Sequence, residues 1–258
     1  MSETPLKTSL TDSLFSSLYE AEDDYWWSAA RRSLVTRLLQ RCCEFKNPRL
    51  IDVGCGGGGF LKSLAGYGKL FGVESSSSAA IHALGKSSAK IIRGDATDLP
   101  FKDRSFDILT SLDVIEHLDS DGDALKEYHR ILTDDGIVIL TVPAFEFLWS
   151  PRDTVLAHKR RYTARGLKRL LTKAGFKVMK CSYTNLFYFP GLLIYSLFST
   201  AFKRKRNLEK TMFVLALPKW VSTFFSRILK VEELIVMHIG MPIGTSIICT
   251  AKKETKTN

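Results

Sequence analysis

Five glycines crowd into six positions, Gly54, Gly56, Gly57, Gly58 and Gly59, directly behind the apolar run Leu50-Ile51-Asp52-Val53. Glycine turns a chain tightly at low steric cost and lets a ligand come close to the backbone. The helix predicted near Phe60 to Leu64 opens with unpaired N–H groups facing whatever binds there. A strand, a glycine turn and a helix in that order point to an open α/β sheet with a nucleotide-type site at the carboxyl end of its first strand.

The rest of the chain keeps that rhythm. Ser28 reads as an N-cap for a helix over 29–43, with Leu34, Val35, Leu38, Leu39 and Cys42 at helical spacing. Further strands are expected at Leu70–Glu74, Lys90–Ile92, Phe106–Leu109, Gly136–Val142 and Phe176–Met179, and a last one at Gly244–Ala251. Helices are expected at Ala79–Leu84, at Ala124–Leu132 and, capped by Thr163, up to Ala174. Continuous apolar strands separated by helices imply a sheet buried on both faces. The expectation is a Rossmann-like α/β fold with a seven-stranded, mostly parallel sheet, an N-terminal helical lid and an apolar insertion before the last strand. By this reading residues 1–47 form the lid, 48–180 the core, and 181–258 the insertion with the final strand.

The glycine loop fits two cofactor classes. Gly54-x-Gly56-x-x-Gly59 matches a dinucleotide fingerprint, and Asp52-x-Gly54-x-Gly56-x-Gly58 the loop of S-adenosylmethionine enzymes. Glu74, twenty residues past Gly54, suits ribose hydroxyls in either class. Asp52 separates them, because a carboxylate there repels a pyrophosphate and attracts the ammonium and sulfonium charges of S-adenosylmethionine. Gly94-Asp95-Ala96-Thr97-Asp98-Leu99-Pro100-Phe101 follows the third strand, and Ser105-Phe106-Asp107-Ile108-Leu109 leads into Leu112-Asp113-Val114-Ile115-Glu116-His117.

With this ordered set, residues 48–180 resemble the class I S-adenosylmethionine-dependent methyltransferases, in particular a bacterial type 11-like subset acting on small molecules and lipids. The resemblance implies that Asp52, Gly54 and Gly56 line the methionine part of the cofactor, Glu74 the ribose, Asp95 and Ala96 the adenine edge, and Leu112 the floor near the sulfonium. The lead-in Tyr25-Trp26-Trp27-Ser28-Ala29-Ala30-Arg31-Arg32 resembles that of the same subset. There Trp26 can shield the sulfonium through its ring face and Arg31 can hold the cofactor carboxylate. Asp107 is expected to anchor its strand, and Asp98 to serve a turn.

After the fifth strand, a long connection carries Pro143 to Asp153 and then His158-Lys159-Arg160-Arg161-Tyr162. The acceptor is expected here, with His158 as general base and His117 as the second candidate, since imidazole titrates near neutral pH. Arg160 and Arg161 either bind an acidic group of the acceptor or flank the helix. The expected reaction is O-methylation of a small or lipid-linked acceptor. The competing readings are a nicotinamide (NAD(P)) oxidoreductase and a non-catalytic cofactor-binding adaptor at a membrane.

Charge and cysteine content bear on surroundings. Lys and Arg number 37 against 27 acidic residues, a net +10, and eight basic residues fall between Lys203 and Lys230 among aromatics. They follow 22 uncharged residues from Cys181 to Phe202 that are interrupted by Ser182, Asn185, Pro190 and Gly191. That pairing favours peripheral contact with an anionic membrane over nucleic acid. Five cysteines in no framework (Cys42, Cys43, Cys55, Cys181, Cys249) argue against disulfides and against a cysteine zinc site. No metal is expected. The opening residues lack a secretory pattern, so a cytoplasmic location, possible at the inner membrane face, is the expectation.

Overall fold

A computed structural model describes residues 26–42, 44–201 and 219–254. Seven strands form one sheet: β1 (Arg49–Val53), β2 (Lys69–Glu74), β3 (Lys90–Arg93), β4 (Phe106–Leu112), β5 (Leu132–Pro143), β6 (Phe176–Thr184) and β7 (Ser246–Lys253). Their order is β3-β2-β1-β4-β5-β7-β6. The pairs β1–β2, β1–β4, β2–β3 and β4–β5 are parallel, whereas β7 runs antiparallel to both β5 and β6. The described helices are α1 (Trp26–Cys42), α2 (Gly59–Ser63), α3 (Ser77–Lys86), α4 (Asp121–Ile131), α5 (Pro151–Val155), α6 (Ala164–Lys173), α7 (Phe189–Ala201) and α8 (Lys219–His238).

Side-chain alternation explains why the strands read as unbroken apolar runs. Ile51 and Val53 of β1 join Leu109, Val138, Leu140, Leu125, Tyr128, Leu167 and Leu171 in a core on one face. Leu50, Ile108, Leu112, Ile137 and Ile139 point to the other, with Leu34, Val35, Leu38 and Leu39 of α1, Leu61 of α2, Ala83 of α3 and Val236 of α8. Both faces are dry, so neither had to be polar. The chain leaves β1 toward β2 and β3 on one side, then crosses to β4 on the other. The carboxyl ends of β1 and β4 therefore flank the topological switch point, where open α/β sheets bind ligands.

Several expectations change in detail. Ser28 caps nothing: α1 already includes Trp26, and Ser28 lies inside it, 1% exposed. Thr163 does cap α6, accepting from the Gly166 amide at 3.1 Å. Asp107 anchors its strand, accepting the Arg49 amide at 2.8 Å and so tying the start of β4 to the start of β1.

The uncharged stretch from Cys181 completes β6, makes a 3₁₀ turn at Leu186–Tyr188 and forms α7. Among the described residues no helix is long and apolar enough to cross a membrane. α7, at 13 residues, spans about 20 Å, short of a roughly 30 Å hydrocarbon core. Most of the basic segment that begins at Lys203 lies outside the described residues. α8 lies against α1, where Glu233 receives the Ser33 hydroxyl at 3.1 Å and pairs with Arg37 at 2.7 Å, and Arg41 reaches the Met237 carbonyl at 2.8 Å.

Candidate active site

The switch-point cleft is built from three loops that hold one another. Asp52, 3% exposed near the end of β1, accepts the Thr110 hydroxyl of β4 at 2.7 Å. The amides of Gly54 and Cys55 donate to the Val73 carbonyl of β2 at 2.8 and 3.0 Å. Gly54 has φ +75°, and a Cβ placed on it would stand 2.4 Å from Cγ2 of Val114, in the loop after β4. Only glycine gives that approach. Glu74 accepts the Gly56 amide through Oε2 and the Ser76 amide through Oε1, each at 2.9 Å, bridging the turns after β1 and β2. The Ser75 hydroxyl adds a longer bond to Oε1 at 3.4 Å, and since a carboxylate has about four acceptor sites, these three bonds still leave capacity for a ligand hydroxyl.

At the next loop Asp95 closes its own turn, accepting the amide and hydroxyl of Thr97 at 2.8 and 2.7 Å. These bonds hold its carboxyl below the usual range. Ala96 beside it is buried, as is Leu112 at the end of β4. Asp113, the next residue, has φ +59° and takes the Thr141 hydroxyl of β5 at 2.9 Å. Its other oxygen pairs with Arg31 of α1. Beside this pair a cleft of about 540 Å³, open to solvent, is lined by α1, α8 and the sheet edge, including Leu34, Thr184 and Glu232.

The loops after β4 and β5 carry a polar cluster around buried Glu116 and Asp153. Glu116 and His117 sit on the 3₁₀ turn Ile115–His117 after β4. His158 follows α5, and its ring meets that of His117 edge-on with centroids 4.8 Å apart. Asp153, 1% exposed, accepts from His158 Nδ1 at 2.9 Å and takes a two-pronged bond from Arg161 at 2.8 and 3.0 Å. Burial alone would raise the Asp153 carboxyl; the His158 and Arg161 bonds overcome this and hold it well below the carboxylate range. Burial, with His158 adding to it, keeps the His117 imidazole below its ordinary value. Burial pushes the Glu116 carboxyl well above its own, with Asp113 adding to the shift and Arg31 and Arg161 opposing it. Next to the cluster, Phe145 stacks on Tyr183 at 4.7 Å and on Phe147 at 5.0 Å, giving the edge an aromatic wall.

Comparison with known proteins turns this geometry into a family. Residues 51–140 match the model of a methyltransferase domain. A protein of Encephalitozoon cuniculi that carries the name "putative methyltransferase" is 30% identical over 154 residues, which are 50% of this chain and 70% of that protein. The chain belongs to the S-adenosylmethionine-dependent methyltransferases. A family member named for that cofactor in Mycolicibacterium smegmatis is 30% identical over 163 residues, 61% of this chain and 62% of that protein. The chain therefore spans somewhat under two thirds of that relative's length. A solved chain from the Haloferax volcanii complex of the Trm112 methyltransferase activator with a methyltransferase shares the fold. Its TM-score is 0.63 at 17% identity, covering 95% of this chain and 98% of that one. Nothing in these likenesses favours the nicotinamide alternative.

In the structure Asp52, Gly54, Gly56, Glu74 and Leu112 stand at the carboxyl ends of β1, β2 and β4, with Asp95 and Ala96 on the loop after β3; none of them lines the cleft beside Arg31 and Asp113. His117 and His158 come together from positions forty-one residues apart. Arg31 reaches the sheet edge, where its partner is the Asp113 carboxylate. Trp26 opens α1, and its side chain lies outside what the structure describes. Arg160 and Arg161 are committed to the protein, the first to the Leu118 and Asp119 carbonyls, each at 2.9 Å, and the second to Asp153. Neither stands as a free anion hook. The sequence reading passed over Asp113, Glu116 and Asp153. Asp113 and Glu116 lay inside a quoted motif, and the Asp153-x4-His158 spacing was the only signal for the third.

Proposed function

We propose that this protein transfers the methyl group of S-adenosylmethionine to a hydroxyl oxygen of a small or lipid-linked acceptor. The observation that carries this reading is the cluster of buried Glu116 with the half-buried His117 and His158, on the loops that follow β4 and β5 at the carboxyl edge of the sheet. Half-buried imidazoles held in place suit the removal of a hydroxyl proton.

The residues present fit the cofactor. The glycine turn at Gly54 leaves no room for a side chain, the Asp52 carboxylate favours a cationic ligand, and Glu74 keeps acceptor capacity toward ribose hydroxyls. Bound there, S-adenosylmethionine supplies a methyl group already activated on a sulfonium. On this reading Asp52, Gly54 and Gly56 face its amino-acid end, Asp95 and Ala96 the adenine, and Leu112 the region under the sulfur.

The protein's work is alignment and proton removal. Holding donor and acceptor in line makes the encounter intramolecular, a contribution of about 7–11 kcal/mol in favourable systems. The aromatic wall of Phe145, Phe147 and Tyr183 gives an apolar acceptor body a surface to lie on. The acceptor proton leaves at the His117–His158 pair, whose geometry Asp153 and Arg161 maintain.

The test is release of S-adenosylhomocysteine with a panel of phenols, lipid alcohols and amines. Hydroxyl acceptors should be turned over, and His158→Ala should lower turnover by about 10²–10⁴ while leaving S-adenosylmethionine affinity unchanged. Turnover of amines alone, or normal turnover by His158→Ala, would overturn the reading.

A further inference from the structure

We propose that Glu116, His117 and His158 bind a divalent metal ion, with Asp153 fixing one of its ligands. One donor atom from each of the three lies within 4.8 Å of the others. A cation with bonds of about 2.0–2.2 Å to imidazole and carboxylate needs those atoms somewhat closer, a contraction within reach of side-chain rotation.

The carboxylate of Glu116 is the observation that asks for an ion. Its residue is 0% exposed, and neither oxygen has a hydrogen-bond partner among the described residues. A carboxyl taken out of water without donors is costly, and buried carboxyls are otherwise paired, hydrogen-bonded or bound to metal. Both oxygens belong to the one residue that shares a cluster with two imidazoles.

The imidazoles are arranged as ligands are. His158 uses Nδ1 on Asp153 at 2.9 Å, which leaves Nε2 for an ion, and a carboxylate behind a histidine is the usual way of orienting a metal-binding ring. Asp153 is itself held by Arg161 and by the Ser150 amide at 2.8 Å, so it cannot swing in as a fourth ligand without breaking both. The backbone sets the two segments in register before any ion arrives. The Lys159 amide donates to the Glu116 carbonyl at 2.8 Å and the His158 amide to the Asp153 carbonyl at 2.9 Å.

Two imidazoles and one carboxylate leave coordination positions open, and nitrogen donors select zinc, iron or cobalt over calcium, magnesium and manganese. An open position beside the cleft would take the acceptor hydroxyl and lower its proton affinity, so that its oxygen is anionic when the methyl arrives. With the ion bound, His117 and His158 act as its ligands and not as the base, so the O–H proton passes to solvent; the new O–CH₃ bond forms, and the C–S bond breaks with its electron pair going to sulfur. This role rests on the function proposed above; the ion site rests on the cluster alone.

The experiment uses untagged full-length protein, stripped with EDTA and dialysed. Zn²⁺, Mn²⁺ and Co²⁺ are titrated by calorimetry, with Co²⁺ also followed by its visible absorption. S-adenosylhomocysteine binding is measured on the same samples. We expect one equivalent of Zn²⁺ or Co²⁺, Co²⁺ bands of a nitrogen–oxygen site, and affinity at least tenfold weaker in Glu116→Gln and His117→Ala. Circular dichroism and retained S-adenosylhomocysteine binding show that those variants fold. Wild-type protein that takes up no ion while binding S-adenosylhomocysteine would overturn this inference and leave the proposed function standing. Equal ion affinity in wild type and both variants would also overturn it. Ion uptake without any S-adenosylhomocysteine binding would instead sink the function and spare the site.

Discussion

Replacing Gly54 with alanine tests how the cofactor loop is held. The residue sits at φ +75°, where an L side chain pays about 1–2 kcal/mol for the left-handed conformation. Its new methyl would stand 2.4 Å from Cγ2 and 3.2 Å from Cγ1 of Val114. Contacts that close force a backbone or rotamer shift, and overpacking of this kind costs about 1–3 kcal/mol. The two terms together predict a loss of about 2–5 kcal/mol, seen in urea denaturation and as a fall in Tm of roughly 4–20 °C for a chain of this size. Because the displaced loop also carries the Gly56 amide bound by Glu74, S-adenosylhomocysteine affinity should fall with stability. The packing part should be separable. In a Val114→Ala background both clashing methyls are gone, so Gly54→Ala should cost only the conformational term, a coupling of about 1–3 kcal/mol in a double-mutant cycle. The same penalty in both backgrounds would refute the contact between the loops. A Gly54→Ala protein within about 0.5 kcal/mol of wild type, with unchanged affinity, would refute the argument as a whole.

Glu74→Ala should weaken S-adenosylmethionine binding by about 1.5–3 kcal/mol in calorimetry, the worth of a charged hydrogen bond, and full affinity would remove Glu74 from the site. Asp153→Asn breaks a buried bridge to Arg161 and should cost about 3–5 kcal/mol in urea denaturation; a loss below about 1 kcal/mol would contradict it. Its folded carboxyl is held low, so this stability is complete above the ordinary aspartate range near about pH 4 and is lost only as pH falls toward the folded value. The wild-type advantage should therefore be flat from pH 5 to pH 8 (about the span where Asp is ionised in both states) and shrink only in stronger acid. For the basic run, flotation with anionic vesicles should decline as salt rises and be lost when Lys203, Arg204, Lys205 and Arg206 are changed to Ser. Equal flotation of variant and wild type would remove the membrane contact.

The parallel half of the sheet was legible because β1, β4 and β5 carry continuous apolar runs, and β1 and β2 are each followed directly by a helix. The antiparallel position of β7 between β5 and β6 was not, since strand order is set by pairing across long separations that leave no local mark. The cofactor loop was readable for a related reason. Its demands are backbone demands, and glycine spacing records them directly. The cluster of Glu116, His117, Asp153 and His158 records almost nothing locally. Glu116 and His117 meet His158 across about forty residues of chain, where the Lys159 amide binds the Glu116 carbonyl, and Arg161 reads as an exposed cation until Asp153 is seen behind it. Ser28 shows the converse failure. Its residue type suits a cap, but burial within α1 overrides that preference.

Calorimetric titration of the purified chain with S-adenosylmethionine, S-adenosylhomocysteine and NADH tests the central claim most directly. The account predicts saturable one-to-one binding of the first two at a common site, weakened together by Glu74→Ala, and none of the third. Tight NADH binding with neither sulfur ligand bound would contradict it.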